Sequence, residues 1–293
     1  MSGDPLTPLR LGRQEFPRDR RLVMAIVNRT PDSFYDRGAT FAVGAALDRV
    51  EQVVAEGADI VDVGGVKAAP GAELPVADEI ARTAPFVAEL RSRHPGLLIS
   101  VDTYRADVAR AVCAEGVDLL NDTWGGVDPE LATVAAEFGA GLVCAHAGGV
   151  VARTRPHRLG YDDVVADVVA RTTALAERAV GLGVDPSRVL VDPAHDFGKN
   201  TWHSLEVTRR LDELVATGWP VLVSLSNKDF VGEALGRPLD DRVTGTLAAT
   251  AVSAWQGAMV FRAHQVDQTR QVLDMVSVIS GDRAPATTVR GLA

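Results

Sequence analysis

Cysteine is scarce. Two residues in 293, Cys113 in a helix-like stretch and Cys144 inside an apolar run, leave at most one disulfide. Two isolated thiols in a large acidic chain fit a reducing compartment better than a disulfide framework. Positive charge is also in deficit. The formal net charge is -9 and the sequence pI about 5.2, which removes any general attraction to nucleic acid or an anionic membrane, although a few placed cations and backbone N–H groups still suffice for a local anion site. No apolar stretch is long enough to span a bilayer, because glycine or a charge interrupts each one. The segment Met1 to Arg21 is rich in proline and arginine and lacks the apolar core of a secretory signal. These absences predict a cytoplasmic protein. HExxH, paired cysteines and histidine clusters are missing, which argues against zinc. GxGxxG and GxxxxGK[ST] loops are missing, which argues against dinucleotide and P-loop readings. There is no internal repeat and no low-complexity segment.

What the chain does have is a series of eight short apolar runs, each tipped with a polar residue. Leu22–Val27 ends in Asn28, Ala58–Val63 carries Asp62 and enters Gly64-Gly65, and Leu97–Val101 ends in Asp102. Val117–Leu120 ends in Asn121, Leu142–Ala145 in His146 and Val189–Val191 in Asp192. Pro220–Leu225 ends in Ser226 with Lys228 just beyond, and Ala258–Phe261 ends in Arg262, followed by His264. Between them lie segments of helical periodicity: 43–56, 76–90, 106–114, 129–138, 161–182, 204–216, 240–256 and 266–279. Strand and helix alternating eight times without a break in composition predict an α/β fold, a closed (β/α)8 TIM barrel, over residues 22–280. A polar N-terminal extension, 1–21, would precede it and a tail, 281–293, follow it. A doubly wound open sheet is the alternative.

In such a barrel the strand tips meet at one mouth, where sites form. Asp102, Asn121 and Asp192 supply two carboxylates and an amide, a set that holds adjacent ring N–H and amino donors. Lys228 would donate to a ring carbonyl. Together they suit the guanidine-like edge of a pterin or purine, although any one of them alone could cap a helix or tie a loop. Arg262 and His264, two apart on the last strand, share a face if the strand continues and suit phosphate. Asn28, Asp32 and Asp36 are hard-oxygen candidates for Mg²⁺. His195, a lone histidine in a polar loop, reads as solvated.

These residues resemble the dihydropteroate synthase family along nearly the whole chain, from about Leu22 to Ile279. The carriers are Asn28-Arg-Thr-Pro-Asp-Ser-Phe34, Ser100-Val-Asp-Thr103, Asn121-Asp122, Asp192-Pro193 with Phe197-Gly-Lys199, Ser226 with Lys228, and Arg262 with His264. The resemblance implies a (β/α)8 barrel, a homodimer, and the joining of 6-hydroxymethyl-dihydropterin diphosphate to 4-aminobenzoate with Mg²⁺ and release of diphosphate. It implies that Asp102, Asn121, Asp192 and Lys228 hold the pterin, that Phe197 lines the aminobenzoate site and that Ser226 binds substrate. Asn28 would meet the metal, and Arg262 and His264 the diphosphate, with Lys228, Arg262 and His264 as the catalytic set.

The departures matter as much. Where the family reads Gly-Gly-Glu-Ser-Thr-Arg-Pro-Gly, this chain has Gly64-Gly65-Val66-Lys67-Ala68-Ala69-Pro70-Gly71. Asn227 stands where a second Arg is expected, Asp196 where the family has Gly, and Tyr35 and Arg37 replace smaller residues. The pterin half matches and the half that grips the amine does not. The expectation is a divergent paralogue with weak or absent standard activity and an open acceptor amine. The alternatives are a non-catalytic pterin-binding or partner protein and, against the first loop and Lys228, a methyltetrahydrofolate methyltransferase.

Overall fold

Alternation along the strands explains both the core and the site. Leu22, Met24, Ile60, Leu98, Leu119, Val143, Leu190, Leu222 and Val260 form one buried cluster, while their neighbours Val23, Ala25, Val61, Ile99, Leu120, Val189, Val223 and Phe261 belong to another, shared with the helices. Strands apolar on both faces are what a parallel sheet covered by helices requires. The computed structural model describes residues 7–30, 40, 42–66, 73–154 and 160–290. Within them a hairpin of β1 (Leu9–Leu11) and β2 (Gln14–Phe16) precedes β3 (Leu22–Asn28), α1 (Val43–Ala55), β4 (Ile60–Gly64), α2 (Val76–Arg93), β5 (Leu98–Asp102), α3 (Ala106–Ala114), β6 (Leu119–Asp122) and α4 (Leu131–Phe138). There follow β7 (Gly141–Ala145), α5 (Val164–Gly181), β8 (Val189–Asp192), α6 (Thr201–Arg209), α7 (Leu211–Val215), β9 (Leu222–Ser224), α8 (Asp229–Leu235), α9 (Val243–Trp255), β10 (Val260–Ala263) and α10 (Val266–Ser280).

The eight parallel strands run in the order β8-β7-β6-β5-β4-β3-β10-β9. A single parallel bridge, Val191 to Val221, joins the two ends, with the Val191 N–H donating to Pro220 O at 2.9 Å. The architecture is the TIM-like barrel expected, closed most weakly between β8 and β9.

Residues 7–21 do more than extend the chain. Leu9 and Leu11 are fully buried and pack into the inward cluster, so the hairpin stoppers the N-terminal end of the barrel. Two other features differ from the sequence pattern. The expected 204–216 helix is two helices that meet at Arg210, whose φ of -113° breaks the helical geometry, and α8 was not foreseen. No helix among the described residues is long and apolar enough to cross a membrane.

Candidate active site

Past the apolar floor, the inward face of the same strands turns polar. Two residues beyond Ile60 stands Asp62, beyond Leu98 Ser100, beyond Leu119 Asn121, beyond Leu190 Asp192 and beyond Val260 Arg262. A further step along β5 brings Asp102, which lies level with Asn121 across the β5–β6 ladder. The mouth is therefore built by strand period alone: one face, apolar below and hydrogen-bonding above.

At its base lies a buried network that the sequence reading did not assign. Asp62 is wholly inaccessible. It accepts from Ser100 Oγ at 2.6 Å, from Asn121 Nδ2 at 3.3 Å and from Arg262 Nε at 2.6 Å. Arg262 Nη2 reaches Asp102 at 3.0 Å, and Thr123 Oγ1 donates to the other Asp102 oxygen at 3.1 Å. Burial opposes the Arg262 cation, but Asp62 and Asp102 together hold its pKa above the ordinary arginine value. Burial raises Asp102 to about 7, with Arg262 opposing and Asp62 reinforcing the rise. The signal that could have exposed Asp62 was its position: a carboxylate inside an apolar strand, on the same face as Ile60.

Asn121 is fully buried, and its Oδ1 has no hydrogen-bond partner among the described residues. Asp62 fixes the amide's orientation, since a carboxylate takes only the NH₂ side. Asp192 accepts from the Ala194 N–H at 2.6 Å, and burial raises its pKa against the pull of Lys228. Lys228 donates to His195 O and lies 4.8 Å over the Phe197 ring, which meets Trp124 edge-on at 5.0 Å. Burial lowers the Lys228 pKa. The charges of Asp196, Asp192 and Asp102 oppose that shift and Arg262 adds to it, so the expected clasp residues share one electrostatic neighbourhood. Ser226 and His264 also meet, with Oγ 2.9 Å from Nδ1.

The 194–198 loop after β8 shapes this rim. Ala194, Asp196 and Gly198 have φ of 49°, 68° and 59°, and a Cβ on Gly198 would lie 2.4 Å from Ala147 O. Left-handed backbone costs roughly 1–2 kcal/mol for most residues other than glycine, so the loop needs fastening. Lys199 supplies it: Nζ sits 3.3 Å from Ala194 O, 3.0 Å from Phe197 O, 2.9 Å from His146 O and 2.7 Å from His146 Nδ1. His146 Nε2 in turn meets Asp167 at 2.7 Å. Tyr161 O–H donates to Gly198 O at 2.6 Å. Burial lowers Lys199 to about 7 and His146 to about 4. His195, read as solvated, is fully buried instead. It stacks on Phe230 at 5.5 Å and lies 3.0 Å from Thr208 Oγ1, and burial pushes its pKa well down.

Asn227, standing where an Arg was expected, also has a positive φ, 55°. Its buried amide turns to Gln265 at 3.3 Å and its carbonyl accepts from Arg242 at 3.0 Å. Asn28 ends β3 opposite Gly64, its carbonyl taking the Thr40 hydroxyl at 2.5 Å. Among the described residues no group of three or more His, Cys, Asp or Glu could hold a metal. The donors fit Mg²⁺ only where a diphosphate supplies most of the oxygens, with Asn28 offering a single neutral one. Asp32, Asp36, Tyr35 and Arg37 of the first loop, and Lys67, Ala68 and Ala69 of the second, lie outside the described residues.

Fold and site together define a TIM-type barrel whose mouth can clasp a flat ring rich in donors. The comparisons with known proteins make the class specific. The model of the family described as pterin binding enzyme matches residues 24–264. The chain is 61% identical over 279 residues to a Mycobacterium tuberculosis protein called inactive dihydropteroate synthase 2, covering 94% of this chain and 88% of that one. It is 34% identical over 264 residues to the dihydropteroate synthase of Bacillus subtilis, covering 89% and 90%. A Yersinia pestis dihydropteroate synthase solved with a sulfonamide drug superposes with a TM-score of 0.88 at 31% identity, over 94% of this chain and 100% of that one. The chain belongs to the dihydropteroate synthase family of pterin-binding enzymes.

Proposed function

We propose that this protein binds 6-hydroxymethyl-dihydropterin diphosphate at the barrel mouth and has lost most or all of the joining to 4-aminobenzoate. The observation that carries the first half is the buried, unpartnered Asn121 Oδ1. Leaving such an acceptor unsatisfied costs about 1–3 kcal/mol, and a ring N–H or amino donor would remove that cost. Asp102 and Asp192 would take the remaining donors of the pterin edge, and Lys228 its carbonyl. Ser226, Arg262 and His264 would face the diphosphate and, if chemistry survives, steady the charge that leaves with it. Bound Mg²⁺, met by Asn28, would neutralise part of that charge.

The second half is supported by the names of the 61% identical relatives and by the missing guanidinium groups at Ala69 and Asn227. A hydrogen bond to a charged group contributes about 1.5–3 kcal/mol, so two losses amount to roughly 3–6 kcal/mol, a rate loss of at least about a hundredfold. A homodimer is also proposed: the adjoining α9 and α10 leave Val252, Trp255, Met275 and Ile279 exposed.

Calorimetry with the pterin diphosphate should show binding to the wild-type protein and none to Asp192→Asn, because an amide puts an NH₂ donor where the carboxylate offers its second oxygen to a pair of adjacent ring donors. Diphosphate release with 4-aminobenzoate and Mg²⁺ should fall at least about a hundredfold below that of the Bacillus subtilis relative assayed alongside. Equal affinity in the variant, or equal turnover, would refute the corresponding half.

A further inference from the structure

We propose that the part of the mouth beside Phe197 is set to receive an uncharged aryl amine rather than a carboxylated one, and that Asp196 determines this preference. The inference rests on the pterin reading above, since the amine would sit against a pterin already held by Asp102, Asn121 and Asp192.

Four observations point to it. Phe197 is half-buried at the rim and braced edge-on by Trp124, an aromatic surface of the kind a flat ring packs against. The cations that would hold a carboxylate are reduced. Position 227 is a buried amide turned to Gln265, and the guanidinium of Arg242 donates to Asn227 O and, at 2.9 Å, to Asp229, so it does not take the missing arginine's place. Lys228 remains over the Phe197 ring, and the charges of Asp196 and Asp192 both favour its cation. A carboxylate arriving there meets a cation whose charge is already answered from within the protein.

The fourth observation is that Asp196 is fixed. One carboxylate oxygen takes the Ser204 hydroxyl at 3.2 Å and the other the Phe230 N–H at 3.2 Å, while the Asp196 N–H donates to Ser204 Oγ at 3.1 Å. Its φ of 68° is a conformation that glycine adopts without cost and aspartate tolerates. The carboxylate therefore cannot swing away to admit an anion. Repulsion between an anchored, half-buried carboxylate and a second one is weakly screened, whereas an amide or an unsubstituted ring escapes it. A purely structural Asp196, one that only ties the loop to α8, would weaken every amine alike. A charge filter changes the ratio between them.

The test uses two probes of nearly equal shape, 4-aminobenzoate and 4-aminobenzamide, titrated by calorimetry at pH 7.5 into the full-length protein saturated with pterin diphosphate and without Mg²⁺. Pterin diphosphate is titrated first and alone. No binding at that stage refutes the pterin reading itself and is seen before any amine is added. With pterin bound, wild-type protein should prefer the amide at least tenfold. Asp196→Asn, which keeps size and removes charge, should erase at least tenfold of that preference, as should Asp196→Gly. An amide-to-carboxylate ratio unchanged by Asp196→Asn overturns the proposal. So does a wild-type protein that takes neither probe, or a variant whose loss falls on pterin affinity rather than on the ratio.

Discussion

The Asp62–Arg262–Asp102 network makes the sharpest quantitative claim. Among the described residues, Arg262→Met would leave Asp62, with no side-chain exposure, facing only Ser100 and Asn121, while Asp102 would retain only Thr123. Removing one partner of a buried ion pair strands the other charge and costs about 3–5 kcal/mol. With a urea slope near 3 kcal/mol/M, the midpoint should fall by about 1–2 M. The companion variant is Asp62→Asn in the Arg262→Met background. It abolishes the more deeply buried of the two stranded charges, leaving Asp102, yet keeps an acceptor for the Ser100 hydroxyl, so at least half of the lost stability should return. Equilibrium urea unfolding of wild type, single and double variants at pH 7.5 measures all three. A single variant within about 1 kcal/mol of wild type, the scale of an exposed pair, would refute the claim that this pair is desolvated. A double variant no better than the single would show that the loss comes from packing of the methionine and not from the unpaired carboxylate.

Lys199→Met should remove a pH dependence. Burial holds the folded-state pKa at about 7, below the ordinary lysine value of 10.5, so between those values the unfolded chain binds a proton that the folded one does not, and stability rises with pH. Urea titrations from pH 7 to 10 should show that slope in wild type and a shallower one in the variant, where Lys228 alone of the two lysines lowered by burial remains; identical slopes would count against the clamp. Leu11→Ala, at the opposite end of the barrel, should cost about 2–5 kcal/mol in unfolding and leave pterin affinity unchanged by calorimetry. Cys113, pushed up to about 12 by burial, and Cys144, raised further by the same cause, should resist a disulfide-exchange reagent at pH 8 in the native protein and both react after denaturation.

The barrel and its rim were legible because each strand is a short apolar run with a polar end, and eight such runs separated by helical periods have few alternative arrangements. What escaped were features without a local signature. Asp62 finds its cation 200 residues away, a distance no window of sequence spans. The hairpin strands are three residues each, and the two leucines that matter sit among arginines. His195 looks polar in sequence because its flanking loop is, yet Thr208 and Phe230 arrive from two other helices to bury it. Helix α8 has seven residues, too few for a period to declare itself.

The distribution of change explains how a member of this family can drift in function without losing its fold. The inward layers of the barrel form two closed systems, an apolar floor stoppered by Leu9 and Leu11 and a polar tier tied together by Asp62. A substitution in either disturbs several strands at once, so both resist alteration. Ala194, Asp196 and Asn227 occupy left-handed backbone in loops outside these layers. Their strain is local, of the order of 1–2 kcal/mol each, and is met by contacts within reach: Lys199 on the Ala194 carbonyl, Ser204 and Phe230 on the Asp196 carboxylate, Arg242 on the Asn227 carbonyl. Because those contacts stay within the loops and the adjacent helices, the rim can change the charge it presents to a second ligand while the tier that would bind the first is untouched. Selection can therefore act on the two halves of the mouth separately, and the coupling between them runs through Lys228 and Lys199, whose charged forms both Asp192 and Asp196 favour.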